Sequence, residues 1–237
     1  MRIALILSGQ PRYLDEGYVS INENILSKYD VDCFAHIWWD EEMRGKKLEF
    51  HNTLTYGRTY FYKEDTLETI MSLYKPKAFM HQEQKKFDIY PGNYALANPL
   101  TTYSQWFSIM KTNELRNDYS NSASVEYDLV IRCRFDSLIN KMDIELKEIL
   151  SSDNLYTQTV YSDGKHYATD QFAISSPKIM DKYCNLYNRL YEYYLNGQGE
   201  QKDGWVGERL ITHHLEMENV QIKNIDPSNF NVDILKL

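Results

Sequence analysis

The run Arg2 to Leu7, apolar from Ile3 onward and closed by Ser8-Gly9, constrains the fold of this chain more than any other feature. A strand whose successive residues are all apolar has no face to give to water, so it belongs inside a parallel sheet, covered on both sides. Its carboxyl end empties into a loop. Asp15 to Tyr29 follows, with apolar positions at Val19, Ile21, Ile25 and Leu26 and with Asp15 as the expected cap. Val31 to Trp38 then reads as a second buried strand, so the chain opens as a βαβ unit.

The same alternation continues downstream. Helical spacing covers Glu64 to Tyr74, a short strand is expected at Lys77 to His81, and a helix at Leu100 to Tyr119. The apolar face of that helix is Tyr103, Trp106, Phe107 and Met110, and its polar stripe is Ser104, Ser108 and Lys111. Tyr127 to Arg134 is a strand, Ile144 to Leu150 a helix, Asn154 to Gln158 and Asp170 to Ser175 strands. Pro177 to Leu195 reads as a helix with proline in its first turn, Trp205 to Met217 as another, and Val220 to Ile225 as a last strand. Residues 40 to 62 and 82 to 99 remain as irregular connections; the second carries Pro91, Gly92 and Pro99 and suits a lid, and both suit acceptor recognition. The expected architecture is α/β: an open, mostly parallel, mixed sheet with helices on both faces.

A length of 237 residues fits a single domain, given about 100 to 200 residues per domain. The net charge of −8 and the absence of a Lys/Arg stripe argue against a nucleic-acid partner, so an anionic ligand has to be held locally. Cys33, Cys133 and Cys184 are odd in number and widely spaced, which suits buried thiols in a reducing compartment and leads to an expected cytoplasmic location. The opening apolar run falls far short of the ~20 residues of a membrane span, and no transmembrane segment is expected.

Ligands of an open α/β sheet collect at the carboxyl ends of its strands. The first strand ends in Ser8-Gly9-Gln10-Pro11-Arg12, where glycine lets the backbone approach a ligand, Ser8 and Gln10 offer hydrogen bonds and Arg12 a phosphate contact. The loop lacks the phosphate-binding G-x-x-x-x-G-K-[ST] pattern, and a plain turn with a surface arginine reads the same residues equally well. In the strand Tyr127 to Arg134, Arg132 and Arg134 recur with period two and share a face. Two arginines on one face of a central strand require anions, either carboxylates in a structural network or a bound diphosphate. Asp136 follows at the strand end, where a carboxylate can hold a divalent cation. Glu208, His213 and His214 lie on the last helix, and no Cys/His zinc spacing is present.

Ser8-Gly-Gln-Pro-Arg12, Asp32-Cys-Phe-Ala-His-Ile-Trp-Trp39, Tyr103-Ser-Gln-Trp-Phe-Ser108 and Tyr127 to Asp136 together resemble glycosyltransferases with the GT-A, or nucleotide-diphospho-sugar transferase, fold from bacteria and large DNA viruses. That resemblance spans most of the chain. It implies that the first strand and its loop (Ser8, Gly9, Gln10, Arg12) receive the nucleotide. It also implies that manganese or magnesium is held with the diphosphate after a central strand. This sequence departs from the Asp-x-Asp pattern, reading Arg134-Phe135-Asp136, so that Arg134 stands where one acid is expected. By the same resemblance Lys111, backed by Gln105, faces the sugar phosphate; Asp170 of Tyr167-Ala-Thr-Asp-Gln-Phe-Ala-Ile-Ser175 is the base on the acceptor hydroxyl; and His214 joins Asp136 as a metal ligand.

The implied reaction is transfer of a sugar from a nucleotide diphosphate sugar to the hydroxyl of a glycan or other acceptor in glycan biosynthesis. Two other readings of the same residues stay open. One is a nucleotide- or sugar-binding domain without chemistry, and the other a different phosphate-recognising transferase.

Overall fold

The computed structural model describes residues 1–47, 60–87, 99–142, 146–198, 206–225 and 230–234. A seven-stranded sheet forms the centre. Its strands, in spatial order, are β10 (Gln221–Asn224), β6 (Asn154–Thr157), β9 (Ala173–Ser175), β4 (Leu129–Cys133), β1 (Arg2–Gly9), β2 (Asp30–Trp38) and β3 (Ala78–Gln82). Parallel pairing joins β4, β1, β2 and β3 in series and also joins β10 to β6, whereas β9 runs antiparallel to both β4 and β6. The sheet is thus mixed and mostly parallel, as its uninterrupted apolar strands require.

Alternate residues of the central strands feed two cores. Ile3, Leu5 and Leu7 with Leu129, Ile131 and Cys133 pack under α1 (Leu14–Ile21), α2 (Thr66–Tyr74) and α4 (Leu146–Leu150). Ala4, Ile6, Phe34 and Val130 face the opposite layer, made by α3 (Pro99–Ala123), α5 (Pro177–Cys184), α6 (Leu190–Leu195) and α7 (Val206–Met217). Ser8 and Arg132 continue this second face by period two. No helix among the described residues is long and apolar enough to cross a membrane.

Several local expectations change. Asp15 is not a cap: α1 begins after Tyr13 in the left-handed region (φ 50°) with no side-chain cap, and Asp15 pairs with Lys63 from the first turn. The helix then loosens into a π turn at Asn22–Leu26. Pro177 to Leu195 breaks into α5, a 3-10 segment at Asn185–Arg189, and α6. Arg134 lies beyond β4, in a turn where its amide donates to Ser137 Oγ at 3.0 Å. Asp170 likewise sits in a bend before β9 rather than within the strand.

Among the described residues, two strand pairs lie outside the central sheet. β5 (Ser137–Met142) pairs with β11 (Phe230–Ile234), and β7 (Thr159–Ser162) with β8 (Lys165–Ala168). The β7–β8 turn is Asp163-Gly164, both with positive φ (51° and 78°), the conformation of a two-residue type I′ hairpin. Residues 48–59 and 88–98, which hold most of the expected acceptor loops and the lid, are outside the described residues.

Candidate functional site

The chain passes from β1 through β2 to β3 at one edge, then returns through α3 to place β4 on the other side of β1. Strand order therefore reverses between β1 and β4, and the space beyond their carboxyl ends is a topological switch point, where open α/β sheets bind ligands. A cleft of about 620 Å³ opens there. Its lining includes Ser8, Gly9, Gln10 and Arg12 from the β1 loop, Arg132 and Arg134 from β4 and its turn, Gln105 from α3, and Asp170 before β9.

The floor of the cleft is unusual in its charges. Arg132 is 1% exposed, and its register partner on β1 is Ile6, two residues before Ser8. Its Nη2 donates to Ser8 Oγ at 3.4 Å, while Nε and Nη1 have no hydrogen-bond partner among the described residues. Burying an ionised group without a partner costs several kcal/mol, so native structures pair such groups or give them a ligand.

Asp136 lies beside this guanidinium in the sequence but serves other arginines. Arg134 donates from Nε to Oδ1 at 2.7 Å and from Nη2 to Oδ2 at 2.9 Å, and Arg12 donates from Nε to Oδ2 at 2.8 Å. The Asp136 side chain is 1% exposed. Burial pushes its carboxyl up, but Arg134 and then Arg12 outweigh that and hold it below the usual carboxylate range. Burial pushes Arg134 down, and Asp136, with Asp170 adding, more than offsets it. Gly17 makes this arrangement possible: a Cβ there would strike the Phe135 carbonyl, so α1 presses directly on the turn that carries Asp136.

On the facing wall, Thr101, Ser104 and Gln105 share one side of α3, at the spacing that puts three and four residues in line. Gln105 Nε2 donates to Asp170 Oδ2. Trp38, at the carboxyl end of β2, donates from Nε1 to the Ser104 carbonyl at 3.2 Å, and Gln84 Nε2 donates to Ser104 Oγ at 2.6 Å. The bend at Asp170 is tied from beneath, since Thr157 Oγ1 donates to the Phe172 carbonyl at 2.5 Å and Thr212 of α7 accepts from the Ala168 amide at 2.9 Å. Glu208, also on α7, has its carboxyl raised to about 7 by burial, with the Asp170 charge adding.

The structure brings eight of the sequence-named residues to one cleft and leaves three outside its lining. Lys111 forms an ion pair with Glu114 at 2.5 Å. Asp136 is sealed beneath its arginines. His214 is buried, with Nδ1 2.9 Å from the Tyr193 hydroxyl and Nε2 2.8 Å from the Lys182 carbonyl. The carbonyl only accepts, so Nε2 carries the proton and Nδ1 accepts from Tyr193, which uses up the ring's lone pair. Burial lowers the His214 pKa and keeps this neutral form. A divalent cation needs lone pairs facing the ligand, whereas most of those on Asp136 and the one on the His214 ring are already taken and both side chains are buried. Among the described residues no group of three or more His, Cys, Asp or Glu side chains is placed to hold a metal ion.

Sequence reading left Trp38, Gln84 and Thr101 without a role, although all three line the cleft. Thr101 was within reach of a signal, because it precedes Ser104 and Gln105 by three and four positions. Trp38 had one too, since it ends a buried parallel strand. Gln84 has no local signature. A scan against protein-family models and a search of curated proteins both returned no match.

Proposed function

We propose that the chain is a glycosyltransferase that moves a sugar from a nucleotide diphosphate sugar to a hydroxyl acceptor. One observation carries the reading: the buried guanidinium of Arg132, without a carboxylate partner among the described residues, forms the floor of a cleft at the switch point of the sheet. An anionic ligand with several acceptor oxygens answers that guanidinium, and a diphosphate supplies them in the right class.

In this reading the nucleotide lies along the β1 loop, whose Gly9 has φ 119° and open space where a Cβ would be. Ser8 and Gln10 offer hydrogen bonds, and Trp38 offers an indole wall. The bond between the anomeric carbon and the diphosphate oxygen breaks while the acceptor oxygen attacks that carbon. Negative charge grows on the departing diphosphate, and Arg132 and Arg134 stabilise it where it develops. Asp170, oriented by Gln105, takes the proton of the acceptor hydroxyl when configuration inverts.

The test is a thermal-shift panel of nucleoside diphosphates and their sugars with manganese present, followed by hydrolysis and transfer assays on every hit. At least one nucleotide is expected to raise the midpoint, by about 2.7 kcal/mol of stabilisation at a hundredfold excess over Kd. A hit that also turns over supports the transferase; binding without turnover supports a binding module; no shift with any member contradicts both.

A further inference from the structure

We propose that this cleft grips its diphosphate without a metal ion, with Arg132 as the anchor and Asp136 as an internal counter-ion that positions Arg12 and Arg134. The inference rests on the nucleotide-sugar reading above and departs from the metal that the family resemblance implies.

A bridging cation is held by carboxylate oxygens that face both the metal and the solvent side of the ligand. Three guanidinium hydrogen bonds already occupy most of the roughly four acceptor positions on Asp136, and the side chain is 1% exposed. Freeing those oxygens for a metal ion would break a buried ion cluster and bring a third cation next to Arg12 and Arg134. The chemistry of the donor set opposes the metal at that position.

Positive charge for the ligand is present without it. Arg12, Arg132 and Arg134 all line the cleft, and Asp136 offsets the charge of one while holding two of them in fixed directions. Arg132 is left as a buried guanidinium with Nε and Nη1 unpartnered among the described residues. The Tyr183 hydroxyl and Trp106 Nε1 are also buried without a hydrogen-bond partner among the described residues, with their rings 5.1 Å apart, and Arg132 is near enough to act electrostatically on the Tyr183 hydroxyl. Both unpartnered atoms of Arg132 are donors, and among the described lining residues no buried side-chain acceptor is left unpartnered. That imbalance suits a ligand made of acceptor oxygens, and it does not suit a cation.

The experiment is calorimetric titration of the nucleoside diphosphate that shifts the protein most, into the full chain, in EDTA and in manganese, using wild type, Arg132→Gln and Asp136→Asn. Wild type is expected to bind in EDTA within about threefold of its affinity in manganese. Arg132→Gln is expected to lose about 10- to 100-fold in both buffers, the range for a charge-assisted hydrogen bond. Asp136→Asn, which takes from Arg12 and Arg134 the carboxylate that directs them, is expected to weaken binding by the same factor in EDTA and in manganese, whereas a metal ligand would lose only the manganese-dependent part of binding on the same change. Should Asp136→Asn fail to fold, the EDTA comparison in wild type and Arg132→Gln still decides. Binding that requires manganese overturns the inference and leaves the nucleotide-sugar reading standing. Metal-free binding that Arg132→Gln does not weaken also overturns it. No binding of any nucleoside diphosphate in either buffer overturns both.

Discussion

Arg132 and Asp136 differ in kind although both are buried charges. The aspartate is fully compensated, and its protein partners explain its burial. The arginine has no carboxylate partner among the described residues, so its burial is a cost that the proposed ligand would remove. His36 is a third buried titratable group, held by Ser108 Oγ at 2.8 Å from Nδ1 and depressed to about 4 by burial, with Lys111 adding. Its folded value lies below the unfolded ~6.5, so the unfolded chain takes the proton first. The native state therefore keeps its stability above pH 6.5 and loses it as the pH falls from there toward 4, by up to about 3 kcal/mol. His214 acts in the same direction. Urea denaturation at pH 7 and pH 4.5 should show a smaller loss in His36→Gln than in wild type; an equal loss in both would remove His36 from the acid response.

At the scale of elements, strong hydrophobic period was legible and pairing partners were not. The buried strands and the helix over Leu100 to Tyr119 stand in the structure with small changes at their ends, because a run apolar on both faces or on one helical stripe has a single way to be covered. The β5–β11 pair was invisible for the opposite reason: antiparallel pairing between segments some ninety positions apart leaves no local trace. The β7–β8 hairpin did leave one, Asp163-Gly164 between short alternating runs, and it fixes the approach to Asp170. The cleft arginines were legible from their period, but the division of labour between Arg132 and Arg134 depends on where Asp136 turns. That turn is set by Gly17 on α1, which admits no side chain against Phe135. Gly17→Ala should cost about 1 to 3 kcal/mol, the range for overpacking, and should weaken nucleotide binding through the displaced turn. Full binding with unchanged stability would show that α1 does not position the turn.

For the whole molecule, the net charge of −8 and the positive floor of one cleft pull in opposite directions. The overall field does not attract an anionic ligand, so recognition of the proposed diphosphate would fall on short-range contacts inside the cleft, where the buried guanidinium is poorly screened. The topology supplies the crevice, because the reversal of strand order between β1 and β4 separates the loops that would otherwise fill it. Sequence alone pointed to that crevice through Ser8, Arg132 and Asp170, while the occupation of Asp136 by two arginines required three-dimensional contacts to see. If Arg132 is kept for a ligand rather than for the fold, replacing it by a neutral side chain of similar length relieves a cost in the free protein. The most direct measurement is the thermal midpoint of Arg132→Met against wild type, each with and without the nucleoside diphosphate. The account predicts that the free variant melts at or above wild type and that its ligand-induced rise is lost; a variant that melts lower yet keeps the full rise would contradict it.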